Sequence, residues 1–182
     1  ENIHKDGILD TTIVQARINE EVKLKAKRMA EMTLEVLKGA GIFGIEMFVT
    51  NKGDVLINEI APRPHNSGHY TNEACSVSQF EQHLRAVLDL PLSKPELLCP
   101  AVMVNILGNE HSTGSYVIEG LRRLLSVPGV KLYVYGKKTS KPGRKLGHII
   151  ATGSTVEEAL MRAANARTTF EVTAKMTKEI LK

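Results

Sequence analysis

Tryptophan is absent, and aromatic residues make up only 4% of the 182-residue chain. So few rings argue against a surface that binds nucleic acid by stacking bases. No apolar run approaches the ~18 residues that a membrane-spanning helix needs. The first residues lack the basic-then-apolar pattern of a signal peptide. Cysteine is limited to Cys75 and Cys99, far apart and outside any CxxC motif. They read as two reduced thiols in a cytoplasmic protein. No glycine-rich phosphate loop occurs. Acid is missing from one long window: between Glu119 and Glu157 there is none, while Arg122, Arg123, Lys131, Lys137, Lys138, Lys141, Arg144 and Lys145 fall inside it. That window is either a solvated basic face or an anion site.

Hydrophobic residues make up 42% of the chain, enough for a substantial core. The β-branched stretch 8–18, ILDTTIVQARI, predicts a strand. Asn19 followed by Glu20 and Glu21 predicts a helix start, with the acids placed to favour the helix dipole. Val22, Ala26, Met29, Thr33, Val36 and Leu37 recur at helical spacing and are expected to face a core, with Gly39 as the stop. IFGIEMFV (42–49), the turn NKGD and VLINEI (55–60) predict a β-hairpin. The stretch 78–90 predicts a short amphipathic helix with Phe80, Leu84, Val87 and Leu88 on one side. Strands are expected at 101–108, 130–136 and 147–153, a helix near 116–125, and a terminal helix from Thr155 to about Leu181.

The hairpin carries the first chemical signal. With Lys52-Gly53 as a two-residue loop, paired residue numbers sum to 105 and Glu46 lies opposite Glu59, which then shares a face with Val55 and Ile57. A three-residue loop with a glycine bulge would slip the pairing by one and leave the two near neighbours. Like charges facing each other destabilise a sheet. A hard divalent cation relieves that repulsion, because Mg²⁺ takes one or two carboxylates plus substrate phosphates. A solvent-facing surface with scattered acids is the plainer alternative. Asn58 and the polar loop APRPHNSGHYT (61–71) favour a site. Arg63 can grip an anion in a planar fork, and Pro62 and Pro64 stiffen the backbone around it.

GIFGIEMFVTNKGDVLINEIAPRPHNSGHYT and SQFEQHLRAVLDLPL resemble the ATP-grasp family of 5-(carboxyamino)imidazole ribonucleotide synthetases, including fungal forms fused to a carboxymutase. ENIHKDGILDTTI and YGKKTSKPGRKLGHI resemble the same family. The resemblance covers about 1–153; Gln15 stands where the family has proline, and the tail from Thr168 has no counterpart. It implies an α+β fold: the C-terminal part of an ATP-grasp domain over 1–92, an antiparallel sheet with helices, then a small β-rich domain with a terminal helix over 93–182. It implies ATP and Mg²⁺ as cofactors, with Glu46 and Glu59 as metal ligands and His4, Asn58 and Glu59 at the nucleotide. Arg63, His65, Asn66 and Ser67 match the loop that faces bicarbonate and carboxyphosphate, and Lys137, Arg144 and Lys145 match residues that hold the ribonucleotide phosphate. The implied reaction joins bicarbonate to 5-aminoimidazole ribonucleotide at the expense of ATP, in a cytoplasmic homodimer with no membrane or nucleic-acid partner. The chain begins at Glu1 and is expected to need an N-terminal half that carries the phosphate loop. Two alternatives stay open: another ATP-grasp carboxylate ligase, and a non-catalytic module that binds anions or nucleic acid.

Overall fold

The structure, a computed structural model, describes residues 1–175. Contacts divide the chain into two compact units: Gln15–Leu98, and Glu1–Val14 together with residues from Cys99 onward. The expected division at 92/93 follows chain order. The packing instead places the first fourteen residues with the C-terminal unit, because their strands pair there.

In that C-terminal unit, β1 (Asn2–Lys5), β2 (Ile8–Val14), β3 (Ala101–Leu107), β5 (Val130–Val134) and β6 (Lys145–Thr152) form one antiparallel sheet in the order β1-β2-β3-β6-β5. The central strands β3 and β6 are almost wholly buried, so they read as continuous apolar runs and not as alternating ones. Helix α2 (Val156–Thr168) packs on the sheet. Thr155 caps it by accepting from the Glu158 amide, and Glu158 reaches back to accept from the Ser154 amide and hydroxyl. Its small residues Ala159, Ala163 and Ala166 let the helix sit close, in a core with Val102, Val104, Ile149 and Ala151. Helix α1 (Leu121–Ser126) adds the fully buried Leu124 to that core.

Three expectations here are corrected. Residues Tyr116–Glu119 form a strand, β4, ahead of α1, where a helix from 116 was expected. Gly120 separates the two at φ +81°, a left-handed conformation that only glycine adopts freely. The terminal helix ends at Thr168, not near 181, and Glu171–Ala174 form strand β7, which pairs with β4. Partner strands far off in sequence override the local helical pattern. The expected helical residues from 176 lie outside those described. Strand β2 ends at Val14, short of the predicted 18.

The other unit holds α3 (Glu20–Leu37), a hairpin of β8 (Gly44–Val49) and β9 (Val55–Ala61), and the short helices α4 (Thr71–Ala74) and α5 (Gln79–Val87). Asn19 caps α3, accepting from the Val22 amide, as its sequence predicts. The helix stops at Lys38, itself left-handed at φ 51°, one residue before the expected Gly39. The apolar stripe of α3 is not covered: only Val22 is buried, and Val36 is 80% exposed. That stripe and one side of β9 line a cleft of about 970 Å³, between Met29, Met32, Val36 and Val55, Ile57, Ile60. Helix α5 also keeps its apolar side outward. Phe80, Leu84, Val87 and Leu88 are exposed, and Gln79 is its buried residue.

No helix among the described residues is long and apolar enough to cross a membrane.

One buried ion pair ties the termini of the C-terminal unit together. Asp10, 3% exposed, accepts from both terminal nitrogens of Arg167, from Nη1 at 2.8 Å, and from the Thr11 hydroxyl; Lys5 lies 3.6 Å away. The Arg167 hydrogen bonds, against the cost of burial, hold the Asp10 carboxyl at about 2, below its usual 3.8. A lowered folded-state pKa stabilises the fold above the unfolded value, and that stability is lost as pH falls from about 4 towards 2. Arg167→Ala leaves the buried carboxylate with only the Thr11 hydroxyl and the more distant Lys5, and should cost about 2 kcal/mol at neutral pH. Chemical denaturation between pH 2 and 7 checks both statements: the wild-type advantage over the variant should shrink across that acid window.

Candidate active site

The hairpin turns through Thr50–Asp54. The Thr50 hydroxyl accepts from the Lys52 and Asp54 amides, and the Thr50 amide donates to the Asp54 carbonyl at 2.9 Å. This is a longer loop than the predicted two residues, so pairing begins at Val49↔Val55. It continues through Met47↔Ile57 and then skips one residue, giving Glu46↔Glu59. Asn58 is the skipped residue, a β-bulge. The glutamates do face each other, but the bulge brings them there, not the turn. It also changes the faces: Val55 and Ile57 line the cleft against α3, while Glu59 lies with Glu46 on the opposite side.

Glu46 is 9% exposed, whereas the side chain of Glu59 is 56% exposed. Between them lies His65: its Nδ1 is 3.7 Å from Glu46 Oε1 and its Nε2 is 3.9 Å from Glu59 Oε1. His65 caps a 3₁₀ turn, Asn66–Gly68, and its Nδ1 meets the Ser67 amide and, at 2.8 Å, the Ser67 hydroxyl. There is no room behind it, since a Cβ on Gly44 would stand 2.6 Å from the His65 Cβ. The site therefore gathers Glu46, Glu59, His65 and Ser67, with Asn58 and Asn66 in the adjoining backbone. Arg63 is exposed, and its Nη1 donates to the neighbouring Pro64 carbonyl at 3.0 Å.

The remaining candidates belong to the other unit. His4 is exposed on β1. Lys137, Arg144 and Lys145 flank the β5–β6 connection. Lys137 Nζ donates to the Lys145 carbonyl at 2.6 Å and stands 5.8 Å over the Tyr135 ring. Arg144 donates to the carbonyl and hydroxyl of Thr139. Burial raises the Tyr135 phenol to about 12, and its oxygen bonds the buried His148 Nδ1 at 2.8 Å.

Sequence reasoning missed Gln79. Its Oε1 accepts from the His65 amide and its Nε2 donates to the His65 carbonyl, both at 2.8 Å. The signal was a glutamine at the first position of an amphipathic helix, opposite the apolar residues.

No group of three or more His, Cys, Asp or Glu that could hold a metal occurs among the described residues. Two facing carboxylates are still the donor set Mg²⁺ uses when phosphate oxygens and water complete its shell.

Comparison with known proteins places these features. Residues 1–80 match the ATP-grasp domain, and residues 101–162 match the phosphoribosylaminoimidazole carboxylase C-terminal domain. The first segment is thus similar to ATP-grasp domains, and the second to that carboxylase C-terminal domain. It is 48% identical to the phosphoribosylaminoimidazole carboxylase of Saccharomyces cerevisiae, over 89% of this chain and 29% of the yeast protein. Its fold is similar to the N5-carboxyaminoimidazole ribonucleotide synthetase of Thermotoga maritima, with a TM-score of 0.87 and 51% identity over 91% of this chain and 46% of that one. It also resembles the N5-carboxyaminoimidazole synthase of Aspergillus clavatus, solved with ADP and 5-aminoimidazole ribonucleotide, with a TM-score of 0.83 and 35% identity over 92% and 45%. The chain thus spans under half the length of these relatives. Over that span the α+β fold, with its antiparallel ATP-grasp segment and C-terminal domain, is theirs.

Glu46→Gln and Glu59→Gln should each abolish most divalent-ion binding while shifting the thermal midpoint little, since glutamine keeps the shape of glutamate and removes only its charge. Mn²⁺ titration followed by paramagnetic relaxation, alongside thermal melts, reads both. Unchanged ion affinity in both variants would remove the metal role.

Proposed function

We propose that the chain forms the C-terminal portion of an ATP-dependent ligase that carboxylates 5-aminoimidazole ribonucleotide with bicarbonate, in purine biosynthesis. The observation that supports this most is the bulge-set pair Glu46 and Glu59 around His65, continuous with the 61–71 loop. A bicarbonate oxygen attacks the γ-phosphorus of ATP, giving carboxyphosphate and ADP. The substrate amine then attacks the carboxyl carbon, the C–O bond to phosphate breaks, and the amine proton is lost. Glu46 and Glu59 would hold Mg²⁺, which supplies charge neutralisation at the phosphates. Asn58, Glu59 and His4 would bind the nucleotide. Arg63 would pair with the anionic oxygens of bicarbonate and carboxyphosphate, with His65, Asn66 and Ser67 beside it. Lys137, Arg144 and Lys145 would hold the ribonucleotide phosphate, and the Aspergillus relative's bound ribonucleotide supports a site for that ligand in this family. A cytoplasmic homodimer completes the reading.

The exposed apolar stripe of α3 and the cleft beside β9 support a missing layer. A contiguous apolar surface of this kind marks a place where another surface packs. The N-terminal half of the relatives, which this chain does not span, is the proposed cover and the source of the phosphate loop.

Phosphoryl transfer depends on positioning and electrostatics. The 182-residue chain alone should therefore release no ADP above background when given ATP, Mg²⁺, bicarbonate and 5-aminoimidazole ribonucleotide. Supplying the N-terminal half of a relative, in cis or in trans, should restore turnover. In that complete enzyme Arg63→Lys should raise the apparent KM for bicarbonate about tenfold or more, because lysine lacks the planar fork. Robust turnover by the chain alone would show that the ATP site is misplaced.

A further inference from the structure

Helix α5 presents its polar side to the active-site loop, and that side grips backbone. His83 Nδ1 accepts from the Ile42 amide ahead of β8, and Gln82 bonds both the amide and the carbonyl of Ser93. Gln79 makes the most demanding of these contacts. Its orientation follows from its partners: a reversed amide would set donor against the His65 N–H and carbonyl against the His65 C=O. With Nε2 so placed, one hydrogen goes to the His65 carbonyl and the other points at His69 Nδ1, 2.9 Å away. His69 Nδ1 must then accept, and the ring carries its proton on Nε2.

Gln79 is itself held. It is 7% exposed, and its amide donates to the Thr71 hydroxyl at 2.9 Å, which donates in turn to the Gly68 carbonyl. A Cβ on Gly68 would lie 2.6 Å from Gln79 Oε1, so glycine there permits a close approach and not a special bend. His69 stacks on Phe80, the next residue of α5. Short hydrogen bonds therefore run from α5 through Gln79 to the His65 backbone, and the His65 ring stands 3.7 Å from Glu46 and 3.9 Å from Glu59.

We propose that Gln79 is a positioning residue: its side-chain amide locks the His65–His69 turn in one register against Glu46 and Glu59, and selects the Nε2–H form of His69. The effect on catalysis rests on the proposed function, in which that turn faces bicarbonate. Displacement of such a group by an ångström is enough to cost a large rate factor.

The grip is read first without turnover. Long-range ¹H–¹⁵N NMR of the wild-type chain at neutral pH should show His69 as the Nε2–H tautomer. Gln79→Glu presents only acceptors, so His69 should move to the Nδ1–H form or the imidazolium. An Nδ1–H ring in the wild type, or no change in the variant, overturns the proposal. In a full-length enzyme carrying these residues, Gln79→Met should lower kcat/KM for bicarbonate about tenfold and leave KM for ATP within about twofold. It should also release ADP in excess of carboxylated product, since a loosened turn admits water. Equal loss for every substrate, in proportion to lost folded protein, would show a structural role only and overturn it. A wild-type enzyme that consumes no bicarbonate would instead fail the functional reading, while the tautomer result still judges the grip.

Discussion

One unpaired residue governs the site. Without the bulge at Asn58, pairing set by the Thr50–Asp54 turn would put Glu46 opposite Asn58, and Glu59 would fall on the cleft side with Val55 and Ile57. A one-residue slip moves every later side chain to the other face of a strand. The bulge resets the register, so the apolar residues of β9 stay beside α3 while Glu59 joins Glu46. Two facing carboxylates are unfavourable for a hairpin by itself. Their arrangement makes physical sense where a cation, or a histidine such as His65, stands between them.

Around that pair the structure spends its polar contacts on holding backbone. Gln79, Gln82 and His83 bond main-chain groups in loops distant in sequence. Loops that carry function gain precision when a rigid element holds them. The helix that does so here leaves its apolar side outward, as does α3. A small unit that exposes Val36, Met32 and Leu84 has not buried what its sequence offers for burial. The relatives are about twice as long, and the uncovered stripes lie on the Gln15–Leu98 unit, not on the C-terminal sheet.

The C-terminal unit behaves differently. Its sheet is closed over by α2, and its central strands are buried on both faces. The buried Asp10–Arg167 pair joins residues 157 positions apart. The basic window inside this unit is not one undivided face. Lys137 and Arg144 are each tied to nearby backbone oxygens, while Lys138 and Lys141 extend from the same connection into solvent. Tethered cations near a common loop are better placed for a defined anion than freely moving ones.

Local rules were legible in the sequence: the Asn19 cap, the helix beginning at Thr155, the hairpin and the runs that became β3 and β6. So was the facing of Glu46 and Glu59, though a longer turn and a bulge bring it about. The stretch 58–71 suggested a site through its residue types, and the structure brings its Glu59, His65 and Ser67 together beside Glu46. What the sequence could not decide depended on partners far along the chain. Strands β4 and β7 exist because each pairs with the other across more than fifty residues, against a helical local pattern. Glu1–Val14 joined the C-terminal sheet because β2 found β3. The bulge, the outward apolar side of α5 and the role of Gln79 are likewise tertiary. Periodicity tells which residues share a face, but only packing decides what that face meets.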